Sequence, residues 1–300
     1  MDLQRAMYEK EFVIRFLSSR GEQFQALFSQ LMSKAYPTDF MPCRPWGKTG
    51  DQKNDGFLPS ERRLFQVYAP DEMNAQKAIA KISEDFEGAK LHWEGKFDKW
   101  CFVHNAQRGL SPQIINVLLD LKNANPEISV EHWGFEELKV VFRKLSLEAL
   151  SDWFGVVPTE ETLSQVGFQE LRTVLESISA KATQGTEEVK DVPAGKIEAN
   201  ALSESVVLLI KAGMSKAPLV DQFFQQWYDE TYGERIAKAF TAKYQALKTE
   251  QTPSVIFSEL QLWAGGGTNQ TPEIQVAVLA VLAYFFERCD IYEEPRGIDT

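Results

Sequence analysis

Cysteine is scarce in this 300-residue chain: Cys43, Cys101 and Cys289 are scattered and odd in number. No Cys-x-x-Cys spacing occurs, which excludes a disulfide scaffold and a zinc ribbon and leaves three reduced thiols in a cytoplasmic protein as the expectation. The three histidines, His92, His104 and His132, fit no zinc motif and read as hydrogen-bonded residues at the edge of a core. Long apolar runs are also missing. The stretch at residues 276–286 is too short to span a bilayer, so no membrane partner is expected. The opening Met1-Asp2-Leu3-Gln4-Arg5 lacks a basic region followed by an apolar one, so no secretory signal is expected. Positive charge is in deficit, with 32 Lys+Arg against 43 Asp+Glu. A nucleic-acid binder usually carries a basic face, so any such contact here must be local. The deficit lies almost wholly in residues 151–300, with 12 bases against 22 acids, whereas residues 1–150 have 20 against 21. No serine elbow, Walker loop or dinucleotide glycine motif occurs. Gly265-Gly266-Gly267 leads into Thr-Asn-Gln-Thr-Pro and reads as a linker.

What is present is a folded composition, 44% hydrophobic and 25% charged. Helices are expected at 7–19 and 21–35, where Phe24, Leu27, Phe28, Leu31 and Met32 share a face. Strands follow at 64–68, 100–104 and 128–133, with helices at 72–86, 112–122 and 135–145. This alternation predicts an α/β domain. Residues 146–182 read as mostly helical, and 183–195 have the polar, Gly/Pro-containing composition of a linker. Beyond it only helical periodicity remains, at about 202–212, 217–229, 231–249, 253–264 and 272–288. The expected division is an α/β domain at 1–155, a helical connector and linker at 156–195, and an all-α domain at 196–300.

One segment suggests chemistry. Gly50-Asp51-Gln52-Lys53-Asn54-Asp55-Gly56-Phe57 precedes Gln66-Val67-Tyr68 by eight residues. Gln66 and Tyr68 alternate on a strand and so share a face. Glu22 and Gln25 share a face of the upstream helix. This layout can gather Glu22, Asp55 and Gln66 around one divalent cation. Phosphodiester hydrolysis needs an activated water and a stabilised leaving oxygen, and Mg²⁺ on carboxylate oxygens supplies both. Residues 44–63 are mildly basic, with Arg44, Lys48, Lys53, Arg62 and Arg63 against Asp51, Asp55 and Glu61.

An acid on a helix, then Gly-Asp-x-x-x-Asp-Gly, then Gln-x-Lys on a strand, resembles the restriction-endonuclease-like PD-(D/E)xK nucleases, especially their Mrr-like branch. The resemblance covers roughly residues 10–150. It implies an α/β restriction-endonuclease-like domain with Mg²⁺ (or Mn²⁺) held by Asp55, Glu22 (or Gln25) and Gln66. The sequence departs from the pattern at the lysine, where it has Tyr68. Tyrosine does not replace an ammonium. Lys53 is the nearest substitute, with Lys48, Lys77 and Lys81 as alternatives. Arg44, Lys48, Arg62 and Arg63 would contact phosphates of double-stranded DNA.

The second half carries Gly195-Lys196-Ile197-Glu198-Ala199-Asn200 and a closing run at residues 286–293. These are similar to the C-terminal domain of bacterial ABC-three-component systems, the broad anti-phage group that includes Lamassu-type systems. The resemblance implies an effector subunit docked on an SMC-like ATPase and a small middle subunit; the acidic half and the departure at Tyr68 suggest that its activity depends on release from that complex or on self-association. The alternative is a catalytically inactive nuclease-fold adaptor that binds DNA or partner subunits. Phe223, Phe224, Trp227 and Tyr228 could form a docking face, although such spacing more often marks core.

Overall fold

The computed structural model describes residues 2–43, 53–107, 109–181, 196, 200–227, 229, 231–249, 251–265, 270–288 and 291–292. Arg44 and Lys48, the 183–195 linker, Tyr228 and Cys289 lie outside the described residues. The chain divides into two compact units: one of Arg15–Ala149, the other of Met1–Ile14 together with Leu150–Thr300. The division falls inside the first helix, α1 (Leu3–Ser18), and again inside α6 (Leu147–Phe154).

The Arg15–Ala149 unit is α/β. After α2 (Gly21–Ala35) come the short strands β1 (Met41–Pro42) and β2 (Gly56–Leu58), then β3 (Arg63–Tyr68), α3 (Ala75–His92), β4 (Lys99–His104), α4 (Pro112–Ala124), β5 (Ser129–Trp133) and α5 (Phe135–Phe142). The five strands form one mixed sheet in sequence order. β1, β2 and β3 pair antiparallel, and β3, β4 and β5 pair parallel through the α3 and α4 crossovers. Side-chain alternation gives the sheet two apolar faces. Leu64, Trp100, Phe102 and Val130 pack under Ala78, Ile82, Phe86 and Ala89 of α3 and Ile114 and Leu118 of α4. On the other face Phe65 packs with Phe28, Phe40 and Trp133.

Local chemistry sets the ends of the elements. Asn74 accepts from the Lys77 amide at 3.0 Å, so α3 starts at Ala75 and not at 72 as the pattern suggested. α3 also continues past 86 to His92. Gly88 does not break it, because a Cβ there would lie 2.6 Å from Lys53 Cγ, and the bare backbone is what lets the loop pack. Gly56 has a similar reason: its Cβ would fall 2.4 Å from the Phe40 ring.

The other unit is helical. Its described elements include α7 (Glu160–Gln165), α8 (Phe168–Ser179), α9 (Glu204–Met214), α10 (Ala217–Gln226), α11 (Tyr232–Lys248), α12 (Pro253–Trp263) and α13 (Pro272–Glu287). α13 is buried from Gln275 through Phe286 without a break, so it is the axis on which the other helices pack. No described helix is long and apolar enough to cross a membrane. Phe223 is buried and stacks on Trp227, which stacks on Tyr232, while Phe224 lies against Tyr284 and Phe285. Phe223 is thus part of the core, while Phe224 and Trp227 are half-buried against their neighbouring rings.

Lys196 is buried at the far end of α13. Its ammonium donates to the carbonyls of Phe286 at 2.8 Å and Ile291 at 2.7 Å, and stands 4.7 Å from the Phe286 ring centre. The last carbonyls of a helix lack intrahelical partners and carry its negative dipole end, so a cation there satisfies both needs.

Candidate functional site

Asp55 stands immediately before β2, and its backbone amide donates to the Phe65 carbonyl at 2.9 Å. The Gly56↔Phe65 register, continued by one residue, sets Asp55 opposite Gln66. The Asp55 carboxylate lies against the strand and is 4% exposed. One oxygen accepts the Val67 amide at 2.6 Å, and the other accepts the side-chain amide of Gln25 from α2. The helix therefore brings Gln25 to Asp55. Glu22, one turn earlier, is exposed.

Gln66 is buried on the face of β3 that looks toward α3, between Leu64 and Tyr68. Its side-chain oxygen has no hydrogen-bond partner. Tyr68, at the position of the pattern's lysine, packs its ring 6.1 Å from that of Phe102. Beside it in register is His104, also buried. The Ala106 amide donates to His104 Nδ1 at 3.2 Å, so the neutral ring carries its proton on Nε2. Burial, with the neighbouring His132 adding to it, lowers the His104 pKa to about 4.

Lys53 has a left-handed backbone, φ 60°, and reaches across to α3. Its ammonium pairs with Glu84 at 2.5 Å and Asp85 at 3.1 Å, and the hydrogen bond to Glu84 is the main cause that raises its pKa. Lys81 reaches the same Asp85 oxygen at 2.8 Å.

Arg62 and Arg63 lie elsewhere. Arg63 starts β3, about 13 Å along the strand from Val67 at roughly 3.3 Å per residue, and Arg62 immediately precedes it. Arg62 pairs with Asp98 at 2.8 Å. Arg63 is held by Glu61 at 2.9 Å and Glu131 at 3.1 Å, with its guanidinium 4.9 Å from the Trp133 ring centre. These contacts knit the sheet edge. Asp55 and Gln25 were visible in the sequence, but Asp85 was not, because a lone acid in an amphipathic helix gives no signal until its burial is known.

The oxygen donors that these residues offer a divalent cation are the Asp55 carboxylate, immediately before β2 and already accepting from Gln25 and the Val67 amide, and the unpartnered Gln66 oxygen on β3. Mg²⁺ needs only one or two protein carboxylates beside water and substrate phosphate. The donor types fit, although the described residues hold no cluster of three His, Cys, Asp or Glu. Searches among curated proteins and among solved structures each found no match. Residues 169–293 match the family model of C-terminal domain 10 of the ABC-three component (ABC-3C) systems, so this helical part of the chain, less than half of its length, carries a domain of anti-phage defence systems.

Proposed function

We propose that the chain is the effector subunit of an ABC-3C defence complex, with a metal-dependent DNA endonuclease in its α/β unit. Its helical domain would dock it on an SMC-like ATPase and a small middle subunit. The docking role is supported by the family match over residues 169–293. The observation that carries the enzymatic role is the buried Gln66 oxygen without a partner, opposite Asp55 across β2 and β3. A buried polar atom left unsatisfied demands an explanation, and a cation ligand is one.

Asp55 and Gln66 would hold the ion, with Gln25 and the Val67 amide fixing the carboxylate's orientation. A bound divalent ion lowers the pKa of its water and neutralises charge on the phosphate. In the reaction a water oxygen bonds to phosphorus as the bond to one sugar oxygen breaks. The water gives up a proton to solvent, and the leaving oxygen gains one. Plasmid cleavage in Mg²⁺ or Mn²⁺ by the full chain and by Asp55→Ala tests this. The expected result is a loss of at least about 100-fold in the variant, and equal activity in both would refute it.

A specific observation favours a second reading, an inactive adaptor. Tyr68 packs on Phe102 where the pattern has a lysine, and the Lys53 ammonium is held by Glu84 and Asp85. That reading expects metal-independent binding of DNA or partner subunits and no cleavage.

A further inference from the structure

Asp85 is fully buried on the stripe of α3 that faces the sheet, beside Ile82, Phe86 and Ala89. A carboxylate in such an apolar layer is costly unless it is paired and hydrogen-bonded. One of its oxygens serves two ammoniums, Lys81 at 2.8 Å and Lys53 at 3.1 Å. The other has no hydrogen-bond partner. An ordinary i,i+4 pair on a helix surface needs neither the burial nor the second cation. The layer between α3 and the sheet is also the one into which β3 turns Gln66 and Tyr68.

The two lysines differ. Lys53 is committed: Glu84 holds it as well, its stem fills the space left by Gly88, and its backbone is left-handed. Lys81 touches only Asp85 among these acids, and its side chain is 34% exposed, so its head can be reached from solvent. Resting on the nuclease reading above, we propose that Lys81 is the phosphate-contacting ammonium of the site, taking the place that Tyr68 leaves vacant, and that Asp85 is its positioning residue. The ligand is a phosphodiester oxygen of DNA. Lys53 acts as the staple that fixes the loop carrying Asp55 onto α3.

The full chain is tested in two assays on one set of variants: Lys81→Met, Lys81→Arg, Asp85→Asn, Asp55→Ala and the control Lys122→Met at an exposed position of α4. In plasmid cleavage, Lys81→Met should lower kcat about 100-fold with KM within about threefold, and Lys81→Arg should recover most of it. Asp85→Asn should lower kcat in the same way, and Lys122→Met should match the wild type. In metal-free binding to a DNA duplex, Lys81→Met should reduce the slope of log affinity against log salt by about 0.9, the loss of one phosphate contact. Thermal midpoints identify variants that have merely unfolded. If Asp55→Ala abolishes cleavage while Lys81→Met keeps wild-type kcat, the inference fails and the nuclease reading stands. An unchanged salt slope in Lys81→Met overturns it even if the isolated chain does not cut. If Asp55→Ala cuts as well as the wild type, the nuclease reading itself fails.

Discussion

Replacing Lys196 with methionine keeps the length of the side chain and removes its charge. The wild-type ammonium donates to the Phe286 carbonyl in the last turn of α13 at 2.8 Å and to the Ile291 carbonyl beyond it at 2.7 Å, and lies over the Phe286 ring. Hydrogen bonds to a charged group contribute about 1.5–3 kcal/mol each, net of the water contacts they replace. Methionine recovers part of the loss by burying its own apolar surface, so the expected net destabilisation is about 3 kcal/mol. For a unit of this size that lowers the melting midpoint by about 6–12 °C. Calorimetry on the full chain, following the transition that moves in this variant, gives the value. The opposing effect is the desolvation of a buried ammonium, which can cancel its contacts entirely. A variant within about 0.5 kcal/mol of the wild type would show that the two effects balance, and the account of Lys196 as a helix-end clamp would be refuted.

Gly213 of α9 lies against α13, where an added Cβ would sit 2.3 Å from the Leu279 carbonyl oxygen and 2.8 Å from Ala283 Cβ. Alanine gains about 1 kcal/mol in helix propensity but overpacks a backbone contact by about 3, so Gly213→Ala should lose about 2 kcal/mol in urea unfolding. A stabilised variant would contradict the packing. His104 supplies a pH test. Its unfolded imidazole takes a proton near pH 6.5, whereas the folded one resists until about 4. As pH falls through that window the unfolded state binds more protons, so folding stability drops by about 3 kcal/mol and levels off below it. His104→Gln should lack this component, and parallel stability curves for wild type and variant between pH 7 and 4 would rule it out.

The elements were legible where one strong local signal set them. Ser111-Pro112 and Thr271-Pro272 start α4 and α13 where the sequence suggests, because a capping hydroxyl and a first-turn proline leave little choice. The all-apolar run after residue 275 has no polar side to turn outward, which accounts for the burial of α13 all round. The site was legible only in part. Gln25 and Asp55 meet, as one of the two options for α2 allowed. The contacts of Lys53 and Arg63 were not legible, since both depend on acids at residues 84, 85 and 131 that approach only in three dimensions. Spacing along the chain reports which residues share a face of one element. It does not report which charges on other elements claim them first. The assignment of residues 1–14 to the helical unit was hidden for the same reason, because an amphipathic helix does not name its partner.

That assignment has a consequence for biosynthesis. The α/β unit is, in topology, an insertion between the first fourteen residues and Leu150. A ribosome therefore releases all of Arg15–Ala149 while the opening segment still waits for companions encoded 150 residues later. At about 5–20 residues per second, that interval lasts about seven to thirty seconds. During it the sheet can form while the portion that would tether it to other subunits does not yet exist. An excised α/β fragment should accordingly begin near Arg15, since one that kept residues 1–14 would carry a half-helix whose apolar side, including Ala6, Met7 and Phe12, has lost its cover.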